Sequence, residues 1–118
     1  MDRFTQAYIE CALWSSMDES TPTGGEPLDT NYGVSDLASE TLGSFERDCN
    51  KFQKENAEDL KQAGNDEQNG HDFWLTRNHH GSGWWDRGYG EVGERLTEAT
   101  HKYKEVDLYV GDDGKVYA

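Results

Sequence analysis

The sequence predicts an α+β fold, with about three helices packed on a small antiparallel β-sheet, and three observations predict it. Apolar residues recur at helical spacing in three separate segments. The run HDFWLTRN, residues 71–78, alternates and is rich in aromatic and β-forming side chains. Near the end, two β-rich runs flank Gly-Asp-Asp-Gly, the turn chemistry of a hairpin spanning 106–117. A length of 118 residues is that of one domain, 1–118, with room for a single modest core.

The first helix is read over Asp2–Ser16, where Phe4, Tyr8, Cys11 and Trp14 mark a stripe that Ala7, Ile9, Ala12 and Leu13 widen. Residues 17–34 hold both prolines, a Gly-Gly pair and many small polar residues, so they read as a long loop that is mobile or functional. Leu28, Tyr32 and Val34 are expected to pin its second half to the body. Ser35 reads as the cap of one short turn through Ala38, and Ser39 as the cap of a second helix running to about Ala63. Leu42, Phe45, Cys49, Phe52 and Leu60 form its buried stripe, interrupted by Asn56. Gly64 ends that helix and 65–70 is a polar loop. In the strand that follows, Phe73 and Leu75 would face one side and Trp74 and Thr76 the other. HHGSG makes a turn, and a third helix is read over Glu91–Tyr103 on Val92, Leu96, Ala99 and Tyr103.

Charge is the most informative global property. Twenty-four acids against eleven bases give a net charge of −13, which repels phosphate backbones and attracts basic proteins. General nucleic-acid binding is therefore not expected. The scarcity of aliphatic residues points toward disorder by composition, but four Trp, six Tyr and four Phe supply material for an aromatic core. Cys11 and Cys49 lie within helical apolar patterns and read as core residues. Gln6 and Glu10 interrupt the first apolar segment, and no run approaches the length of a membrane span, so a cytoplasmic location is expected.

The segment 71–88, HDFWLTRNHHGSGWWDRG, concentrates the residue types that carry chemistry. Adjacent His79 and His80, with His71 eight residues away, do not match the ligand spacing of a metal site, and no metal or cofactor is expected. His79 or His80 as a base oriented by Asp86, with Ser82 or Cys49 as nucleophile, lacks a motif with a mechanism attached, so no catalytic residue is assigned. Arg77, His79, His80, Trp84, Trp85, Asp86 and Arg87 remain candidates for contacting a ligand or partner. The Gly-Ser-Gly turn with two arginines and stacking aromatics would suit a nucleotide or another flat anion. The structural alternative is that the tryptophans fill a core short of aliphatics and the glycines permit the reversal.

The same segment carries a resemblance. HDFWLTR, then Asn78, His80–Gly81, Gly83 and WDRG resemble a signature of small acidic proteins of tailed bacteriophages and prophages, a family without an established activity. Phe4–Ser16 and Leu108–Tyr117 are similar to that family too, and Trp84 stands where the family carries Phe. The resemblance implies a protein that binds and modulates or inhibits a host protein, such as a host-defence factor (anti-CRISPR or anti-restriction) or a DNA-processing factor. It implies a basic protein or nucleoprotein complex as partner, and DNA mimicry as one means. The acids available for this are Glu46, Asp48, Glu55, Glu58 and Asp59 on the second helix, Glu91, Glu94 and Glu98 on the third, and Asp112 and Asp113 at the hairpin. Lysines interspersed on the second helix dilute its acidity. The alternative function is small-ligand or nucleotide binding at the 77–88 turn.

Overall fold

The computed structural model describes residues 1–22 and 24–118. Its described residues form α1 (Arg3–Ser15), β1 (Met17–Asp18), β2 (Glu26–Pro27), α2 (Ser39–Glu55), α3 (Ala57–Lys61), α4 (Asp66–Arg77), α5 (Glu91–Thr100), β3 (Tyr109–Val110) and β4 (Val116–Tyr117), with 3-10 turns at 28–30, 34–36 and 84–86. The class is α+β, but helix dominates. The strands make two separate antiparallel ladders, β1–β2 and β3–β4, in place of one sheet under three helices.

Residues 71–78 are not a strand but the body of α4, which also absorbs the expected polar loop 65–70. Asn65 starts the helix, its Oδ1 accepting from the Gln68 N–H at 2.8 Å, and Asp66 and Glu67 occupy the first turn where the helix dipole favours acids. From Asn69 to Arg77 every residue but His71 is buried. A helix enclosed on nearly all sides shows no stripe of period 3.6, so its aromatic and β-forming residues mimic a strand.

Close approach of α1 and α4 builds the core. A Cβ at Gly70 would overlap the Phe4 carbonyl oxygen, so only glycine lets the two helices meet there. Around that contact the aromatics stack: Phe52 and Phe73 lie with ring centroids 4.2 Å apart, and Tyr8 meets Trp74 edge-on at 5.4 Å. Phe4, Phe45 and Trp84 are also fully enclosed. Trp14, placed on the buried stripe by its spacing, instead faces solvent and is 62 % exposed.

The second helix is broken at Asn56, whose φ of −124° leaves helical geometry and whose Nδ2 donates to the Phe52 carbonyl at 2.9 Å. Buried Asn69 then closes the α3–α4 turn, accepting from Gly64 N–H and donating to the Leu60 and Gly64 carbonyls. Neither expected serine cap is made. Ser35 sits exposed inside a 3-10 turn held by the Asp36 carboxylate on Gly33 N–H, and Ser39 is the first residue of α2, preceded by Ala38 with no side-chain cap.

Segment 17–34 carries the β1–β2 ladder and a 3-10 turn in which Leu28 is buried. Tyr32 and Val34 pack half-buried on the core. α5 ends at Thr100, short of Tyr103. The hairpin pairs only Tyr109 with Tyr117 and Val110 with Val116, and Gly114 takes the left-handed position of its turn at φ +79°. It docks on the start of α2 through a parallel bridge from Leu37 to Val116.

Candidate functional site

The 77–88 turn begins where α4 ends. His79 adopts φ +55°, with its N–H donating to Thr76 O and the His80 N–H to Leu75 O, so a histidine fills the left-handed cap usually given to glycine. Asn78 Oδ1 accepts from Val106 N–H at 2.8 Å, tying the chain after α5 to this helix end. Beyond the turn, Gly83 sits so close to Thr76 that a Cβ would overlap the Thr76 hydroxyl. Trp84 enters the core, donating from Nε1 to Thr100 Oγ1 at 2.9 Å, whereas neighbouring Trp85 is 57 % exposed. Asp86 accepts from the Gly83 N–H at 3.0 Å, and so holds the turn together.

The adjacent histidines diverge. His79 stacks on His101 with ring centroids 4.6 Å apart and its Nε2 3.4 Å from Glu105 Oε1. His80 lines a cleft that Glu105 also borders. Among the described residues no three His, Cys, Asp or Glu side chains converge as a metal site would require.

Both arginines of the expected anion cradle are engaged internally. Arg77, buried, donates from Nη1 to Asp48 Oδ2 at 2.8 Å and to the Tyr8 hydroxyl at 3.0 Å, and from Nε to Lys104 O at 2.7 Å. Arg87 forks onto the fully buried Asp72, with Nη2 2.8 Å from Oδ1. Burial pushes the Asp72 carboxyl up from the usual range, and Arg87 only partly offsets this. The seven candidate residues thus share a turn without converging on one pocket. Of the two nucleophile candidates, Cys49 is buried, and burial raises its thiol well above the ordinary value.

The acidic candidates divide similarly. Asp48 is committed to Arg77, and Asp59 to Arg95, whose hydrogen bonds hold the carboxyl below its usual range. Glu55, Glu58, Glu91, Glu94, Glu98, Asp112 and Asp113 are exposed and Glu46 is half-buried. Glu58 meets Lys61 at 3.3 Å, and Asp113 accepts from the Tyr117 hydroxyl at 2.6 Å.

The cleft beside His80 had no sequence signal. It measures about 730 Å³ and runs between the end of α1 with β1 on one wall and residues 105–110 on the other. Trp74, anchored by its Nε1 donating to Ser15 Oγ at 2.7 Å, lies between the walls. Spacing along the chain does not reveal that 15–20 faces 105–110.

No helix among the described residues is long and apolar enough to cross a membrane. Compared with protein-family models, with curated proteins and with solved structures, the chain matches none.

Proposed function

We propose that this is a binding protein of phage type that engages a basic host protein, or a basic face of a nucleoprotein complex, and modulates or inhibits it, with host-defence and DNA-processing factors as the target classes. One observation carries the reading: most of the chain's arginines are held by its own carboxylates, while many of its acids face outward unpaired. Four of the five arginines, Arg3, Arg77, Arg87 and Arg95, are paired with carboxylates, and the acids in excess of the bases, a net −13, include exposed ones on α2, α3, α5 and the β3–β4 hairpin. Such a field steers a cationic partner and repels free nucleic acid. The same pairing weighs against the nucleotide reading, because Arg77 and Arg87 would have to abandon Asp48 and Asp72 to meet a phosphate.

The test is affinity capture from a bacterial extract at low and high salt. The reading expects a basic protein retained at low salt and released as ionic strength screens the contact. Recovery of no basic protein, or retention indifferent to salt, overturns it.

A further inference from the structure

Two strand edges face the cleft with backbone groups that no other described residue engages. In the β3–β4 ladder Gly111 N–H donates to Lys115 O, which makes Gly111–Lys115 and Tyr109–Tyr117 the hydrogen-bonding pairs. Val110 opposite Val116 is then a non-bonded pair, and its N–H and C=O turn away from β4. The outer side of β4 is already covered, because Ala38 N–H donates to Val116 O. The free edge of β3 lies along the cleft. On the opposite wall, Leu28 N–H donates to Ser16 O, so by the same alternation Met17 turns its N–H and C=O away from β2. Met17 and Tyr109, 50 % and 57 % exposed, add apolar surface to the two walls.

The charge of the cleft is one-sided. Glu19, Glu105 and Asp107 line it, and among the described residues no lysine or arginine does. A second hollow at the hairpin tip shares Tyr109 and Val110 with it and adds Asp112 and Asp113. Carboxylates therefore continue along the whole free edge of β3.

We infer that the cleft takes an extended, basic peptide segment of the partner, which adds as a strand to the free edge of β3 and sets lysine or arginine side chains against Glu19, Glu105, Asp107 and the hairpin acids. Only an extended chain offers N–H and C=O groups at the spacing of a strand edge. A helix would leave Val110 unsatisfied, and a nucleic-acid strand would meet the carboxylates with like charge. This inference rests on the basic-partner reading and specifies where and how the partner binds.

The test uses the full chain and a library of octapeptides with all eight positions varied. Selected peptides are synthesised with a fluorophore and titrated by polarisation, in normal form and with alternate backbone nitrogens methylated. Glu19→Lys combined with Asp107→Lys reverses the rim at two exposed residues that make no hydrogen bond or ion pair within the described structure. The expected results are enrichment of basic peptides, about ten-fold or greater weakening by N-methylation and by the double reversal, and amide NMR shifts centred on Met17 and Leu108–Val110. No enrichment, indifference to N-methylation, or shifts centred on α2 and α5 overturns the inference. If the reversed variant still captures the basic host protein in the salt-dependent assay, the cleft inference falls while the binding-protein reading stands. If no basic protein is captured at all, that reading falls and the peptide titration alone decides the cleft.

Discussion

Asp72 and Arg87 form an unequal pair: the carboxylate is wholly buried on α4, while the guanidinium reaching it is 32 % exposed on the turn after Trp85. The two ends should therefore respond differently to truncation. Arg87→Ala leaves a buried carboxylate without its countercharge and is expected to cost about 3–5 kcal/mol. Asp72→Asn leaves a cation that water can reach, and is expected to cost about 1–2 kcal/mol. Urea unfolding of both variants checks the order; equal losses would contradict the asymmetry.

The same pair predicts a pH dependence. Burial raises the Asp72 carboxyl in the folded state, and losing Arg87 raises it further. An acid raised on folding binds its proton more tightly in the native state, so its favourable contribution is present at low pH. It is lost as pH rises past the ordinary value of 3.8 and through the folded one. The deficit of Arg87→Ala is accordingly greatest near neutrality and narrows on acidification, as parallel thermal melts from neutral to mildly acidic pH would show.

Arg77 is fixed by geometry as much as by charge. Its fork reaches Asp48, Tyr8 and the Lys104 carbonyl at once, and its guanidinium carbon lies 5.5 Å from the centre of the Tyr103 ring. Lysine keeps the charge but cannot make three planar contacts, so Arg77→Lys is expected to lose about 2–4 kcal/mol. Tyr8→Phe removes one hydrogen bond and should lose about 1 kcal/mol. Denaturant midpoints of the two variants give the comparison.

Two glycines of the same stretch separate packing from turn freedom. Gly70→Ala drives a methyl into the Phe4 carbonyl and should separate α1 from α4, at a cost of about 3 kcal/mol or more. Gly81 has open space where its Cβ would stand and no positive φ, so Gly81→Ala is expected to be neutral or to stabilise by about 0.4–1 kcal/mol. Melting temperatures moving together would refute the distinction.

Both thiols are buried, and burial pushes Cys11 up to about 12 and Cys49 higher still. Iodoacetamide at mildly alkaline pH should modify native protein on the order of 100-fold more slowly than urea-unfolded protein. Rapid native labelling of either cysteine, followed by mass spectrometry, would show a site more open than the structure has it.

Much of the fold was legible because its signals are local. α1 and α5 show apolar stripes against a polar background, and Gly-Asp-Asp-Gly carries its turn chemistry in four residues. α4 reads as a strand in the sequence because it is walled in by neighbours, which removes the contrast between faces that periodicity detects. The break at Asn56 was visible as an interruption of the stripe, but its cause, a side chain bonding back to Phe52 O, is a geometric detail. In the 77–88 segment the residue types are visible in the sequence, whereas the engagement of Arg77 and Arg87 depends on Asp48, Asp72 and Tyr8, 15 to 69 residues away.

By itself, then, the sequence determined an acidic surface, an aromatic core, a helix at the beginning and a hairpin near the end, since composition and short-range spacing decide these. The tertiary structure alone decided that HDFWLTR is a central helix, that Arg77 and Arg87 neutralise internal carboxylates, and that β1 and β3 open their edges onto one acidic cleft. The reason is physical: a charge takes whichever partner the fold brings within about 3 Å, and a strand edge is free or covered according to what packs beside it.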